Sequence, residues 1–459
     1  MKEKRIFDDK LDIVVPVTLI LVFGFFAFFC EVSWCGDSYQ YENQFPMREP
    51  VYSLILQFLK FVANDAYMRV LGLLQNLLAG ICIYWTYKKL SDILGVKVVG
   101  KAFTLICLLA PHIVTPLASK THLIITNTVM TEGITLSLYY VWFVYSVKLI
   151  AGQVVKEKKI YFMIRMTLLA LILAMTRGQL ILCVLMSFAL YIVVTLSGKE
   201  DDKRNKIKKS AVFIILFIVT ILSKTQLTKW YNLIESGNYV NTISSKPMLL
   251  ANIAYVCDES DADYIEDDDL RIAFTEVLRL VEENKMSYKH AEGGLISKAR
   301  FHEAGHETIN FDYIDPEIRK VIYERYGYDE GEFFKLMISE DELCGLIAKQ
   351  LLPHISGKYF RNYAIISVLG FVRSIAVEKS ILPVYAMIMY LVAIVLTIVL
   401  LRKNLANKQA WCMVFTLIMI CGNVLGTALV IQCITRYMIY NLPFFYITGM
   451  SLVGALRES

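Results

Sequence analysis

The sequence predicts an all-α, polytopic membrane protein of about ten transmembrane helices with an extracytoplasmic, mostly helical domain. Three observations predict it. Hydrophobic residues make up 56% of the 459 positions and the mean hydropathy is +0.51, more apolar surface than a water-soluble protein carries. Apolar runs of about 20 residues, enough to cross a hydrocarbon core of about 30 Å, recur along the chain. Lys and Arg gather in every second of the short segments between these runs, as the positive-inside rule requires. The net charge of +5 adds little, because it is the positions of the charges that carry the information.

The runs fall near 13–30, 68–87, 102–118, 129–149, 160–175, 180–197, 210–227, 381–401, 410–431 and 438–456. With the N-terminus inside, the inner segments hold Lys2, Lys4, Arg5 and Lys10, then Lys88 and Lys89, then Lys156, Lys158 and Lys159. They continue with Lys199 to Lys209, then Arg402, Lys403 and Lys408, and finally Arg457. The first run follows a basic start and lacks a small-residue cleavage site, which predicts a retained anchor. The stretch Tyr359 to Val377 is apolar but contains Arg361 and Arg373, and counting it as a span would put Arg402 and Lys403 outside. It is therefore expected as an amphipathic helix on the outer interface. The resulting division is an N-terminal transmembrane module 1–227 with a first outer loop 31–66, an extracytoplasmic helical domain 228–379 with the interfacial helix 359–377, and a C-terminal transmembrane module 380–459. The expected location is the cell membrane, multi-pass, with the N-terminus cytoplasmic and the large loop extracytoplasmic.

Within 228–379, Leu270, Phe274, Val277, Leu278 and Val281 follow helical spacing, as do Ile318, Val321 and Ile322, and then Leu343, Leu346, Ile347 and Leu351. No stretch there alternates as a strand would. Most of the 10 Cys lie in apolar runs, where a thiol packs as a small hydrophobe. Cys257 and Cys344 sit in the large loop and could pair if the compartment is oxidising, and with no CxxC a cysteine-based metal or redox site is not expected. The acidic run DESDADYIEDDD lacks the Gly and closing Glu of a calcium loop and is expected as a solvated loop.

The chemistry-bearing residues lie at the outer ends of the runs. Asp37 follows the first run in GDSYQYENQFPMREPVY, which also holds Arg48, Glu49 and Tyr52. Glu132 lies near the outer end of the fourth run, Arg177 at the turn between the fifth and sixth, and Arg436 and Tyr437 at the start of the last. An unpaired charge at membrane depth costs several kcal/mol, so charges gathered on one rim read as a site. A carboxylate there suits general-base chemistry, and Arg suits phosphate through paired, charge-assisted hydrogen bonds. The competing reading makes Asp37 a helix cap, pairs Arg48 with Glu49 on the surface, and sends Arg177 and Arg436 to lipid headgroups.

The early Asp in the first outer loop, the R-E-P-x-Y stretch, the T-E at 131–132, the T-R-G turn at 176–178 and the terminal R-Y resemble the GT-C superfamily of integral-membrane glycosyltransferases. The likeness is to bacterial members related to protein mannosyltransferases and lipid A aminoarabinose transferases, over roughly the first 230 and last 80 residues. It implies transfer of a sugar from a polyprenyl-phosphate donor to an extracytoplasmic glycan, lipid or protein acceptor, among membrane lipids and without nucleic acid. It also implies Asp37 as the general base or as an organiser of the acceptor, with Arg177 and Arg436 contacting the carrier phosphate; Arg48, Glu49, Tyr52, Glu132 and Tyr437, at the same rim, are expected with Arg177 and Arg436 to bind substrate. No cofactor is certain, although the resemblance leaves room for a divalent cation. Ser38 stands where many relatives have a second acid, and fewer runs are counted than is usual. A polysaccharide polymerase or a transporter is the alternative, and the HEAGH stretch 302–306 raises a zinc peptidase as a further one. Transporters place polar groups near the midplane on repeated, broken helices, whereas here the polar groups lie at the rim and no repeat is evident.

Overall fold

The computed structural model describes residues 2–118, 122–198, 202–328, 330–376 and 381–458. Lys199 of the fourth basic segment, Val377 and the 379/380 boundary fall outside them. The described chain is helical, and its only extended pairing is a single bridge between Ser33 and Thr128. The helices are α1 (Lys2–Phe29), α2 (Ser38–Glu42), α3 (Pro50–Ala63), α4 (Tyr67–Leu94), α5 (Val98–Ala118), α6 (Glu132–Ile150), α7 (Lys159–Thr176), α8 (Ile181–Ser197) and α9 (Lys203–Ser236). There follow α10 (Ser245–Ala254), α11 (Asp268–Glu283), α12 (Leu295–Thr308), α13 (Asp315–Tyr326), α14 (Phe333–Ile375), α15 (Leu382–Lys403), α16 (Lys408–Ala428), α17 (Thr435–Met438) and α18 (Leu442–Glu458).

Nine helical stretches among the described residues are long and apolar enough to cross a membrane, from Pro50–Leu94 to Thr435–Arg457. Ile13–Phe29, within α1, is a shorter apolar stretch of the same character. This is the helix set of a polytopic membrane protein. The chain forms two compact units, one of residues 1–239, 384–420 and 439–459, the other of 240–383 and 421–438.

The core of the first unit lies around α6, whose apolar window is 67% buried, whereas that of α9 is only 6% buried. Phe143 of α6 stacks on Phe444 of α18 at 3.7 Å between ring centroids. The fully buried Trp142 donates its indole N–H to Ser187 Oγ of α8 at 3.0 Å, which satisfies a polar group that membrane depth would otherwise penalise. Local signals end the helices where the sequence allows it. Gly95 takes the left-handed conformation that stops α4, and Asp202 caps α9 by accepting the Asn205 N–H at 3.0 Å.

The stretch 31–66 is not the aqueous loop that the spacing of the runs suggested. Residues 50–63 form α3, which buries Tyr52, Leu56 and Leu59 and exposes Leu54, Phe58, Phe61 and Val62. With apolar side chains on both faces, α3 suits a lipid boundary better than water.

The second unit packs α10–α14 around its own core, and the helical spacing read from sequence marks that core. Leu270, Phe274, Val277, Leu278, Val281, Ile318, Val321, Ile322, Leu343, Ile347 and Leu351 are all buried, and Leu346 alone of that set is exposed. Residues 359–375 are not a separate interfacial helix but the second half of the 43-residue α14. Their apolar side chains Ile365, Ile366, Leu369 and Val372 are buried inside the unit. The segment 421–438 packs beside them: Tyr363 Oη donates to Leu425 O at 3.3 Å and Arg373 donates to Cys433 O at 2.9 Å. Gly370 makes the approach possible, since a Cβ there would lie 2.8 Å from Val424 and 2.9 Å from Cys433. Cys257 and Cys344 are both free thiols in this core, and burial pushes each well above the usual thiol range.

Candidate functional site

A polar staple brings the loop after α1 to the segment that enters α6. Asn127 Nδ2 donates to Phe26 O at 2.8 Å and Cys30 O at 2.9 Å, satisfying carbonyls at the end of α1. Ser33 N donates to Asn127 O at 2.7 Å and Val129 N to Ser33 O at 3.1 Å. Gln75 of α4 donates to Thr126 O and Thr128 O, both at 3.1 Å, and Ser38 Oγ donates to Val129 O at 2.8 Å. The buried amide of Gln75 occupies the space beside Gly133 that a Cβ would need. These bonds fix Asp37, at the start of α2, relative to Glu132, at the start of α6.

Three cation–carboxylate pairs follow. Arg48 Nη2 meets Asp37 Oδ1 at 2.8 Å and also bonds Gln40 Oε1. Arg177 Nη1 meets Glu132 Oε1 at 2.8 Å and donates to Thr131 Oγ1 at 2.9 Å. Lys224 Nζ of α9 meets Glu49 Oε1 at 2.6 Å. The side chains of the last two pairs are 6–12% exposed, so each charge depends on its partner to offset lost hydration. Backbone geometry favours the arrangement. Glu132 opens α6, where the peptide dipoles favour a negative charge. Arg177 is extended, at φ −149° and ψ 115°, and so breaks the chain between α7 and α8. Gly178 beside it leaves room for Glu49, whose Oε1 would lie 3.1 Å from a Cβ at that position.

Tyr41 lies among the first two pairs. Burial pushes its phenol above the ordinary value; Arg48 and Arg177 pull it down, while Glu132 and Asp37 push it up. Arg48 lies over the Tyr41 ring at 4.9 Å, and Tyr41 meets the buried Tyr52 edge-on at 5.2 Å. Tyr52 Oη contacts Gln75 Oε1 at 3.4 Å, which makes it part of the staple. On the other side Tyr440 Oη bonds Thr135 Oγ1 at 2.7 Å, one turn along α6 from Glu132. Six charges, three of each sign, and three buried tyrosines thus converge in the first unit. An entering anion can exchange with the carboxylates for Arg48, Arg177 and Lys224, and the carboxylate so released can accept a proton.

The sequence-derived residues Asp37, Arg48, Glu49, Tyr52, Glu132 and Arg177 therefore share one unit. The partners differ from the surface pairing considered for the loop: Arg48 takes Asp37, and Glu49 takes Lys224. Arg436 and Tyr437 belong to the second unit. There Arg436 Nη2 contacts Tyr437 Oη at 3.3 Å, and Asn423 donates to Tyr437 O at 2.8 Å. Sequence reasoning missed Tyr41, Lys224 and Tyr440, and named Thr131 only as part of the T-E motif. Lys224 alone carried a signal, as a lysine near the outer end of an apolar run.

The HEAGH stretch is built as core. His302 Nε2 meets Asn252 Oδ1 at 2.8 Å, His306 Nε2 meets Met248 O at 3.2 Å, and Glu303 is paired with Arg373 at 2.8 Å. Burial holds both imidazoles well below the ordinary value, His306 down to about 4, so both are neutral. No group of three potential metal ligands gathers among the described residues. The acidic run is likewise structural. Asp258 and Asp261 clamp Lys358 at 2.6 and 2.7 Å, and Asp267 and Asp269 hold Arg325.

Compared with protein-family models, curated proteins and solved structures, the chain matches none.

Proposed function

We propose that the chain is a membrane glycosyltransferase of the GT-C type that moves a sugar from a polyprenyl-phosphate donor to an extracytoplasmic glycan, lipid or protein acceptor. The observation that carries this reading is the convergence of two buried or half-buried cation–carboxylate pairs around Tyr41, with the Lys224–Glu49 pair beside Gly178, at the ends of apolar helices. Charged networks of this kind at a membrane rim are expensive to keep, and an anionic, lipid-anchored substrate gives them a use. The basic segments fix the orientation in this reading, with the N-terminus cytoplasmic and residues 31–66 and 228–379 outside.

Asp37 accepts the proton of the acceptor hydroxyl, whose oxygen forms a bond to the anomeric carbon. The bond from that carbon to the donor phosphate breaks, and its electron pair leaves on the phosphate oxygen. Arg48, Arg177 and Lys224 stabilise that charge, each giving up part of its contact with a carboxylate as the phosphate arrives. Single displacement inverts the anomeric centre. Asp37, Glu49 and Glu132 are each paired with a cation of the chain, and the steps above use these residues alone.

The test is transfer of radiolabelled sugar from polyprenyl-phosphate-sugar donors in membranes containing the protein or its Asp37→Asn variant. Label reaching an acceptor with the intact protein, and at least 100-fold less with a stably inserted variant, is expected for loss of a general base. Equal transfer by both removes Asp37 from the reaction. Extension of an existing polysaccharide in place of single transfer assigns the site to a polymerase.

A further inference from the structure

In the second unit, two acidic side chains share one cation. Asp315 opens α13, and Glu340 faces it from α14 and is buried. Arg319, one turn along α13, spans both: its Nη2 lies 3.6 Å from Asp315 Oδ2 and its Nε 3.2 Å from Glu340 Oε2. Two carboxylates and one guanidinium leave one negative charge in excess around the buried Glu340. The remaining oxygen of Asp315, Oδ1, is buried without a hydrogen-bond donor among the described residues. A carboxylate oxygen against another carboxylate is stable only if a proton lies between them.

We propose that Asp315 and Glu340 hold a single proton between them, and that this proton is a pH-sensitive latch fastening α13 to α14. It balances the excess charge and gives the orphaned oxygen a hydrogen bond. Burial, the hydrogen bond from Glu340 and its charge together push the Asp315 carboxyl well above the usual carboxylate range, with Arg319 opposing. Among the described residues the second nearby cation, Lys246, is already paired with Asp341. On the preceding turn Asp312 adds negative charge, and on α13 the nearest further titratable group is Tyr323. On α14 Asp341 is committed to Lys246 of α10 at 2.8 Å and to the Ser244 N–H at 2.7 Å, and Cys344 is a buried neutral thiol. From α12 the neutral His306 is engaged with Met248 O, and α11 contributes the apolar Phe274, Val277 and Val281 to the shared core.

The backbone beside the latch is built to yield. Residues Ile309–Ile314 form a π-helical turn directly before Asp315, an i→i+5 geometry that is rare and marginal in stability. Loss of the proton sets two like charges together next to this turn, so α13 and the turn open before the rest of the unit.

The sign follows from linkage. The native pair binds a proton that the opened segment, with ordinary carboxyls, releases above about pH 4. The latch is therefore complete below about pH 4, weakens as pH rises, and is fully lost once pH passes the raised value of the native pair. Hydrogen exchange of peptides covering 309–326 in the full-length protein in detergent, corrected for intrinsic rates, measures this. Wild-type protection is expected to fall relative to Asp315→Asn by up to about tenfold per pH unit between pH 5 and 9. Glu340→Gln, whose amide also supplies a hydrogen to the pair, is expected to flatten the curve in the same way. Parallel curves for wild type and either folded variant overturn the proposal. Should neither variant fold, infrared spectra of the wild type decide: a protonated-carboxyl band that disappears between pH 8 and 10 supports the shared proton, and its absence at pH 7 refutes it.

Discussion

The Glu132–Arg177 pair gives the sharpest quantitative expectation for the candidate site. Its side chains are 8% and 11% exposed and 2.8 Å apart. Glu132→Gln removes the carboxylate that faces the buried guanidinium, while Thr131 Oγ1 and Gln179 Oε1, which also accept from it, are uncharged. Leaving one member of a buried pair uncompensated costs about 3–5 kcal/mol. Arg177→Met leaves the carboxylate at the start of α6, where the peptide dipoles still offset about 1 kcal/mol, so it costs less than Glu132→Gln. The double variant leaves no stranded charge and costs less than the sum of the singles by about 1–3 kcal/mol. SDS-driven unfolding of the purified protein, followed by fluorescence of the buried Trp142, measures all four states. Single costs that add within about 0.5 kcal/mol would show the two residues to be independent, and the reasoning about the site would fail with them.

Two further outcomes follow from packing and burial. Gly133→Ala drives a Cβ into the Gln75 amide, which is held by Thr126 O and Thr128 O and cannot swing aside. A loss of about 1–3 kcal/mol in the same assay is expected, and a neutral substitution would mean the staple is loose. His306 is held down to about 4 by burial, so the native second unit excludes a proton that the unfolded chain takes up below its ordinary value of 6.5. The stability this contributes is present above pH 6.5 and is lost as pH falls toward 4, by about 3 kcal/mol. Exchange of the 295–308 amides should accelerate over that range in the wild type and less steeply in His306→Gln, where His302 alone remains to take up a proton; identical acid profiles would contradict the assignment.

What could be read from sequence follows from what each feature costs. The apolar runs were legible because the bilayer fixes their length, and the core of the second unit because helix period fixes which side chains meet, as Phe274, Val277 and Val281 illustrate. The positions of Asp37, Glu132 and Arg177 were legible because charge at the end of an apolar run is expensive. Their partners were not. Lys224 meets Glu49 across 175 positions, and Tyr41 joins the site only because Ser33 pairs with the segment before α6. The helix α3 was hidden because PVYSLILQFLKFVA is too short to span and too apolar on both faces to read as amphipathic. The segment 421–438 reads as membrane tail, and its place against α14 depends on Gly370, whose missing side chain signals nothing until its neighbours are known.

The measurement that bears most directly on the account is sugar transfer by the purified protein in proteoliposomes, with polyprenyl-phosphate-linked and nucleotide-linked donors compared at equal sugar concentration. The account predicts transfer from the lipid-linked donor alone, with inversion at the anomeric carbon and loss of activity in Asp37→Asn. Transfer from the nucleotide donor, retention of configuration, or no transfer across a broad panel of lipid-linked sugars would contradict it.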